Sequence, residues 1–379
     1  MSLPYTEVHE MFRTSVQRFI EREIAPYHEQ WEEAGMLDRS VWRKAGEQGL
    51  LLITAPVEYG GGGGDFLMVN VFSEELVRGA FSGPGFRVHS DIVAPYLVNI
   101  GNEEQKRRWL PKMASGELIG AIAMTEPSAG SDLKTLRTTA VRDGDEYVIN
   151  GQKTFITNGA LADLFVVAVK TDPKADSKGV SLIVVEAERS GFERGRKLKK
   201  IGLKAQDTAE LFFHDVRVPA SNLLGEEGKG FRYLMEELPR ERLLTASIAQ
   251  LSAERSVELT CEYVKERQAF GGPLMALQNT RFVLAEAKTE VMAGRAFMDE
   301  CINLFIEGKL DAARAAMVKL WTSEMEGRVI DKCLQLFGGW GYMWEYPIAR
   351  FYADARVHRI YAGSSEIMKE IIARSLEKA

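Results

Sequence analysis

The 379-residue chain has only three cysteines, Cys261, Cys301 and Cys333. They lie far apart in helix-like stretches and fit no disulfide or metal-ligand spacing, so they read as buried thiols of a reducing compartment. Five histidines leave little material for a histidine-based metal site, and no metal is expected. No apolar run approaches the ~20 residues that cross a bilayer. The start, MSLPYTEVHEMF, lacks the basic stretch and apolar run of a signal peptide, which together with the cysteines points to a cytoplasmic location. Basic residues are not in excess. A net charge of −6 argues against nucleic acid as the main partner, although a local cationic patch can still hold a polyanionic ligand. Internal repeats are absent, and the one low-complexity stretch is the run Gly60 to Gly64.

What is present is an ordinary folded composition, 45% hydrophobic and 27% charged, long enough for two or three lobes. Val8, Met11, Phe12, Val16, Phe19, Ile20 and Ile24 make a helical stripe that stops at Pro26, and a second helix is expected from Ser40 to Leu52. The five glycines read as a flexible connector, since they lack the flanking context of a nucleotide loop. Helix returns over 65–115, with breaks at Gly83-Pro84-Gly85 and at Pro95. Near Leu118 the pattern changes. Short runs at 118–124, 146–150, 153–157, 165–171, 180–186 and 210–219, rich in Val, Ile and Phe, predict a β lobe. Its connections lack helices, so the sheet is expected to be antiparallel. Long helical segments follow at 231–267, 276–307 and 310–337, and a last helix from Ser365 to Leu376 has Ser364 or Ser365 as its cap. The α+β architecture is helical, β, helical, divided as 1–118, 119–226 and 227–379.

Three stretches carry chemistry. In the segment from Gly230 to Gly272, Leu234, Met235, Leu238, Leu243, Leu244, Ile248 and Leu251 form an apolar stripe, interrupted by Pro239, where a kink is expected. Arg240-Glu241-Arg242 follows at once. Most such triplets are solvated faces, but a carboxylate held among apolar neighbours has a raised pKa and becomes a useful base. The second stretch, MTEPSAGSD (124–132), offers hydroxyls at Thr125, Ser128 and Ser131 and a turn at Gly130. It suits an acceptor-rich heterocycle or a phosphate, and reads equally as a polar loop. In the third, KTFITNG (153–159), Phe155 is by default a core residue beside Thr157.

With AIAMTEPSAGSD in the middle and CLQLFGGWGY…EYPIARFYADARVHRIYAGSSEI near the end, the chain resembles the acyl-CoA dehydrogenases over essentially its full length. The resemblance implies an N-terminal helical domain, a middle antiparallel β-barrel-like domain and a C-terminal four-helix bundle. It also implies bound FAD. Met124 and Thr125 would meet the pyrimidine side of the flavin, and Ser131 would lie near its phosphates and the CoA part of the substrate. Phe155, Ile156 and Thr157 would pack on and hydrogen-bond the ring, with Phe155 standing where several relatives carry Trp. Arg267, Phe270 and Gln278 would grip the adenosine diphosphate part from a neighbouring subunit. Gln335, Gly338 and Gly339 match the adenine-side loop, and Ser364 and Glu366 match the turn at the last helix, whose N-terminus favours phosphate. Cofactor residues from two subunits imply a homotetramer, a dimer of dimers.

One position departs from the common pattern. Many relatives carry a glutamate base in IYEG, and this chain reads Ile360-Tyr361-Ala362-Gly363. The branch that includes the long-chain and isovaleryl enzymes places its glutamate on the helix before Arg-Leu, which here is Glu241-Arg242-Leu243. Glu241 is therefore the implied base, with Arg242, Ala362 and Gly363 at the substrate; the Ala362 N–H would help polarise the thioester carbonyl. MEELPRERLL and GRKLKKIGLKAQDTAELFF resemble the long-chain branch in particular. The implied reaction is α,β-dehydrogenation of a long-chain or branched acyl-CoA to a trans-2-enoyl-CoA, with electrons passed to an electron-transferring flavoprotein. The alternatives are an oxidase passing electrons to O₂, and a flavin-bound, non-catalytic binding or repair-associated protein, the latter prompted by Ala362.

Overall fold

The computed structural model describes residues 3–377. The N-terminal lobe holds α1 (Glu7–Phe19), α2 (His28–Ala34), α3 (Ser40–Glu47), α4 (Phe66–Arg78), α5 (Ala94–Ile100) and α6 (Glu103–Ala114). Val16, Phe19, Ile20 and Ile24 enter the core, whereas Val8 and Met11 at the start of the same stripe stay exposed. The glycine run is no flexible connector. The amides of Gly62, Gly63 and Gly64 donate to the carbonyls of Leu52, Ala55 and Ile53. A Cβ on Gly61 would stand 2.3 Å from the Ala55 carbonyl oxygen, so the run is glycine because two backbones touch. Pro95 does not break a helix either. A π-helical turn, Val88–Val93, leads directly into α5, and Pro95 sits at that junction, in the first turn of α5.

The middle lobe has β1 (Gly120–Ala123), β2 (Thr139–Asp143), β3 (Glu146–Thr157), β4 (Leu164–Lys170), β5 (Val180–Glu186), β6 (Phe192–Lys197), β7 (Thr208–Pro219) and β8 (Leu223–Leu224). They form one sheet in the order β6-β7-β3-β2-β4-β5-β8, with β1 added beside β4. Most pairs are antiparallel as expected; β1 runs parallel to β4, and so does the single contact of β2 with β4. The two runs expected on either side of Gly151-Gln152 are one strand, β3, in which Gly151 and Gln152 pair with Phe213 and Phe212 of β7 just past a register shift at Asn150. Every residue of β4 and β5 is buried, including Lys170, Ser181 and Glu186, as the apolar runs 164–169 and 182–185 require of strands covered on both faces.

The C-terminal lobe begins with the 37-residue α7 (Gly230–Glu266), which stays helical through Pro239. A short hairpin of β9 (Gln268–Ala269) and β10 (Gly272–Pro273) leads to α8 (Gln278–Ile306), α9 (Ala312–Phe337), α10 (Pro347–His358) and α11 (Ser365–Leu376). Helices α7 to α10 form the bundle and α11 lies on α9. The Ser364 hydroxyl caps α11 by accepting from the Ile367 N–H. Leu234, Leu243 and Leu244 of α7 share one core with the N-terminal helices and the sheet, while Val257, Val291, Met325 and Val329 make a second core inside the bundle. The expected stripes are less uniform than their periodicity suggests: Met235, Phe282 and Met292 are exposed.

Candidate active site

The three members of Arg240-Glu241-Arg242 point to three different partners, because successive residues of a helix face about 100° apart. Arg240 reaches the N-terminal lobe, donating through Nη2 to Thr54 Oγ1 at 3.0 Å. Arg242 reaches the C-terminal end, donating through Nε to the Ala362 carbonyl at 3.4 Å. Between them Glu241 is 5% exposed. Burial pushes its carboxyl up to about 7; the Tyr96 hydrogen bond opposes this, Glu237 adds to it, and Arg242 and Arg240 oppose it further. The Tyr96 hydroxyl donates to Oε1 at 2.9 Å. Burial and the facing carboxylate push that phenol well above its ordinary value, so it remains a donor. A carboxylate titrating near neutrality in a dry site is equipped to take a proton from carbon.

The Ala362 turn faces this carboxylate's helix. Ala362 has φ +53°, a left-handed conformation that a side chain resists, and Gly363 follows at φ +95°. Besides the Arg242 bond, the Gly363 carbonyl accepts from Lys319 Nζ at 2.6 Å. Ser365 Oγ donates to Glu324 Oε1 at 2.6 Å, and Glu366 stands exposed in the first turn of α11.

At the sheet end, the Thr154 N–H donates to the Thr125 carbonyl at 2.9 Å, which lays Met124 and Thr125 against the Phe155–Thr157 segment. Lys153 is buried beneath them, bound to the Met124 carbonyl at 3.1 Å and to Glu126 Oε1 at 2.8 Å. Glu126 also accepts from the Arg137 and Thr138 amides, and its carboxyl lies below its usual range because these bonds and Lys153 outweigh burial. Phe155 is not a core residue. It is 67% exposed with φ +60°, because the register of β3 against β7 shifts between Lys153 and Ile156 and turns it outward. Ile156 remains in the core and Thr157 is half-buried. Ser131 is exposed and makes no side-chain hydrogen bond among the described residues. Asn158 ties this end to the N-terminal lobe through the Gly85 carbonyl, and Arg87 continues to the Leu244 carbonyl of α7, one turn from Glu241.

A cavity of about 550 Å³ lies at the far end of the bundle. Its lining includes Arg267, Gln335, Gly338 and Gly339, with Tyr263, Phe337 and Trp340 as aromatic walls. Gly338 has φ +60° and ψ −137°, a conformation open to glycine. A Cβ on Gly338 or Gly339 would meet nothing within 4 Å, so that side of the cavity is an unfilled cradle. A guanidinium beside aromatic rings and bare glycine backbone fits a phosphate joined to a heterocycle, the chemistry of a dinucleotide end. Phe270 and Gln278 do not line this cavity. Phe270 caps the β9–β10 hairpin at 93% exposure, and Gln278 is exposed at the start of α8. Among the described residues, no three His, Cys, Asp or Glu side chains converge as a metal site would, and no helix is long and apolar enough to cross a membrane.

The sequence reading missed Tyr96, Lys153 and Lys319. Tyr96 left a signal, a polar-tipped aromatic in the apolar stretch DIVAPYLV; Lys319 left a clearer one, a single cation inside AAMVKLW.

Comparison with known families agrees with this layout along the chain. The acyl-CoA dehydrogenase N-terminal domain matches residues 6–117, the middle domain 121–216 and the C-terminal domain 228–377. The chain therefore belongs to the acyl-CoA dehydrogenase family, FAD-dependent oxidoreductases. A similar curated relative is the mitochondrial long-chain specific acyl-CoA dehydrogenase of Rattus norvegicus, 52% identical over 98% of this chain and 87% of the relative. Among solved structures, an acyl-CoA dehydrogenase from Geobacillus kaustophilus superimposes with TM-score 0.97 at 53% identity, covering 99% of this chain and all of that one. An acyl-CoA dehydrogenase from Bacillus anthracis complexed with FAD superimposes with TM-score 0.92 at 32% identity, over 99% of this chain and 68% of that one.

Proposed function

We propose that the protein dehydrogenates long-chain or branched acyl-CoA to the trans-2-enoyl-CoA, with Glu241 as the base and an electron-transferring flavoprotein as acceptor. The observation that carries this reading is the pairing of a buried, near-neutral carboxyl at Glu241 with a side chain at Ala362 that cannot take a proton. In the reaction the Cα–H bond breaks with its proton going to Glu241, the Cβ–H bond breaks as hydride, and the electron pair left on Cα closes the double bond. FAD, when bound, supplies the two-electron acceptor for that hydride.

The chain's own residues divide the remaining work. Met124, Thr125, Phe155, Ile156 and Thr157 would hold the ring end of FAD, with Lys153 and Glu126 bracing the strand and loop beneath. Arg267, Gln335, Gly338 and Gly339 would hold the dinucleotide end, joined by Phe270 and Gln278; Ser364 and Glu366 would contribute from the turn before α11, which lies against Glu324 of α9 and not beside this cavity. Ser131 would contact the CoA part. The Ala362 N–H would donate to the thioester carbonyl, which stabilises charge as the α-proton leaves. Arg242 and Gly363 keep that turn in place. An apolar acyl chain entering the site excludes water and raises the proton affinity of Glu241 further.

A homotetramer is part of the proposal. Phe270, with Phe282 and Met292 of α8 and Trp321 of α9, leaves large apolar area uncovered on a single chain, and Phe270 lies outside the cavity to which its own Arg267 contributes. The long-chain preference rests on the relative at 52% identity and on the position of the base. An anaerobic titration of the purified holoprotein with acyl-CoAs of increasing length, plus isovaleryl-CoA, tests the reaction and ranks substrates. Bleaching of the flavin band, strongest with long chains, is expected; no bleaching with any of them overturns the reading.

A further inference from the structure

Lys319 is a lysine that burial should have removed. It sits about two turns into α9 and is 0% exposed. No carboxylate lies within ion-pair distance of it among the described residues, and its one side-chain hydrogen bond among them goes to a backbone carbonyl, that of Gly363, at 2.6 Å. A buried ammonium without a counter-ion is costly, and chains tolerate one where it does something specific. Its target is specific too. Gly363 follows Ala362, whose φ of +53° strains the backbone, and Arg242 holds the Ala362 carbonyl from the opposite helix, α7. Two cations from two helices thus grip adjacent carbonyls of one strained turn.

We infer that Lys319 is a positioning residue whose charged hydrogen bond to the Gly363 carbonyl locks the Ala362 turn, keeping the Ala362 N–H aimed at the substrate carbonyl. The inference rests on the dehydrogenase reading above. With no side chain at residue 362 to contact the substrate, the turn's contribution is its backbone alone, and a backbone donor is only as good as its orientation. The charged groups that act on Lys319 are Arg242 of α7, Glu324 of its own helix and Glu366 of α11. Burial first, then Arg242, depress the ammonium to about 8, against the opposing pull of Glu324 and Glu366. The protonated form, which is the donor, is therefore full below that value and lost as pH rises through it.

The test compares wild type, Lys319→Met and Lys319→Arg as FAD-loaded proteins, reading FAD content, kcat, KM and the pH profile of kcat with a long-chain acyl-CoA. Bleaching of wild type is read first; its absence with every acyl-CoA is a failure of the dehydrogenase reading, not of Lys319. Given bleaching, Lys319→Met is expected to keep FAD and lose roughly 10- to 100-fold in kcat with KM changed about two-fold or less. Lys319→Arg is expected to recover most of kcat and to move the alkaline fall of kcat, near pH 8 in wild type, to higher pH. A Lys319→Met enzyme with wild-type kcat and pH profile overturns the inference. So does a kcat loss that Lys319→Arg, with full FAD, does nothing to restore. Should Lys319→Met yield no folded holoprotein, Lys319→Arg decides: near-wild-type kcat with the alkaline limb moved to higher pH and FAD retained supports the inference, and a limb that stays where wild type has it overturns it.

Discussion

At the scale of single residues, the site depends on a carboxyl whose proton affinity is set by competing neighbours. Burial raises Glu241 to about 7, so its ionised, proton-accepting form is scarce below that pH and dominant above it; kcat should rise as pH passes through about 7. The Tyr96 bond favours the ionised form. Tyr96→Phe removes it, which raises the Glu241 pKa, so the acidic limb of the pH profile should move up by about one to two units, a hydrogen bond to a charged group being worth about 1.5–3 kcal/mol. A limb that stays put would show that the phenol does not tune the base. Glu241 stood out as a candidate because it is a carboxylate inside an apolar helical stripe and because the resemblance, with alanine at position 362, pointed to the Glu241-Arg242-Leu243 position. Tyr96 and Lys319 did not. Their partners lie 145 and 44 residues away, and no local periodicity reports which polar atom a buried donor will meet.

Elements place these residues by departing from their regular forms. The bulge in β3 turns Phe155 outward, a feature no alternation rule anticipates because the strand pattern assumes a constant register. Beneath it, the buried Lys153–Glu126 pair holds the 124–126 loop to the strand. Lys153→Met leaves Glu126 buried without its cation and should cost about 3–5 kcal/mol, read as a large fall in Tm, with part of the loss recovered by adding Glu126→Gln. Equal Tm in wild type and Lys153→Met would refute that role. At the bundle end, Gly338→Ala should cost roughly 1–3 kcal/mol from its backbone angle and weaken FAD retention, measured by melting and by flavin content after dialysis. The glycine run at 60–64 shows the limit of composition: the same five residues serve a mobile linker or a tight backbone contact, and only the neighbouring carbonyls decide.

On the scale of the whole molecule, the helical, β, helical order was legible because hydrophobic period changes from 3.6 to 2 and back along the chain. Strand order was not, since the parallel entry of β1 beside β4 depends on contacts across more than forty residues. One core runs through all three lobes and encloses the helical turn of α7 that carries Glu241, so the proposed base is held by packing from two directions. The exposed apolar residues of the hairpin, α8 and α9 set a further expectation. The holoprotein should scatter light as a tetramer, and Phe282→Glu should shift it toward smaller species with loss of FAD; a monomer that retains FAD would contradict the shared-site account.

The measurement that tests the central claim most directly is anaerobic stopped-flow of wild type and Glu241→Gln, each FAD-loaded, mixed with a long-chain acyl-CoA. The account predicts rapid flavin bleaching in wild type and a loss of at least about 100-fold in that rate in the variant, with FAD content unchanged. Bleaching of Glu241→Gln at the wild-type rate would mean that the proton leaves to another group and that Glu241 is not the base.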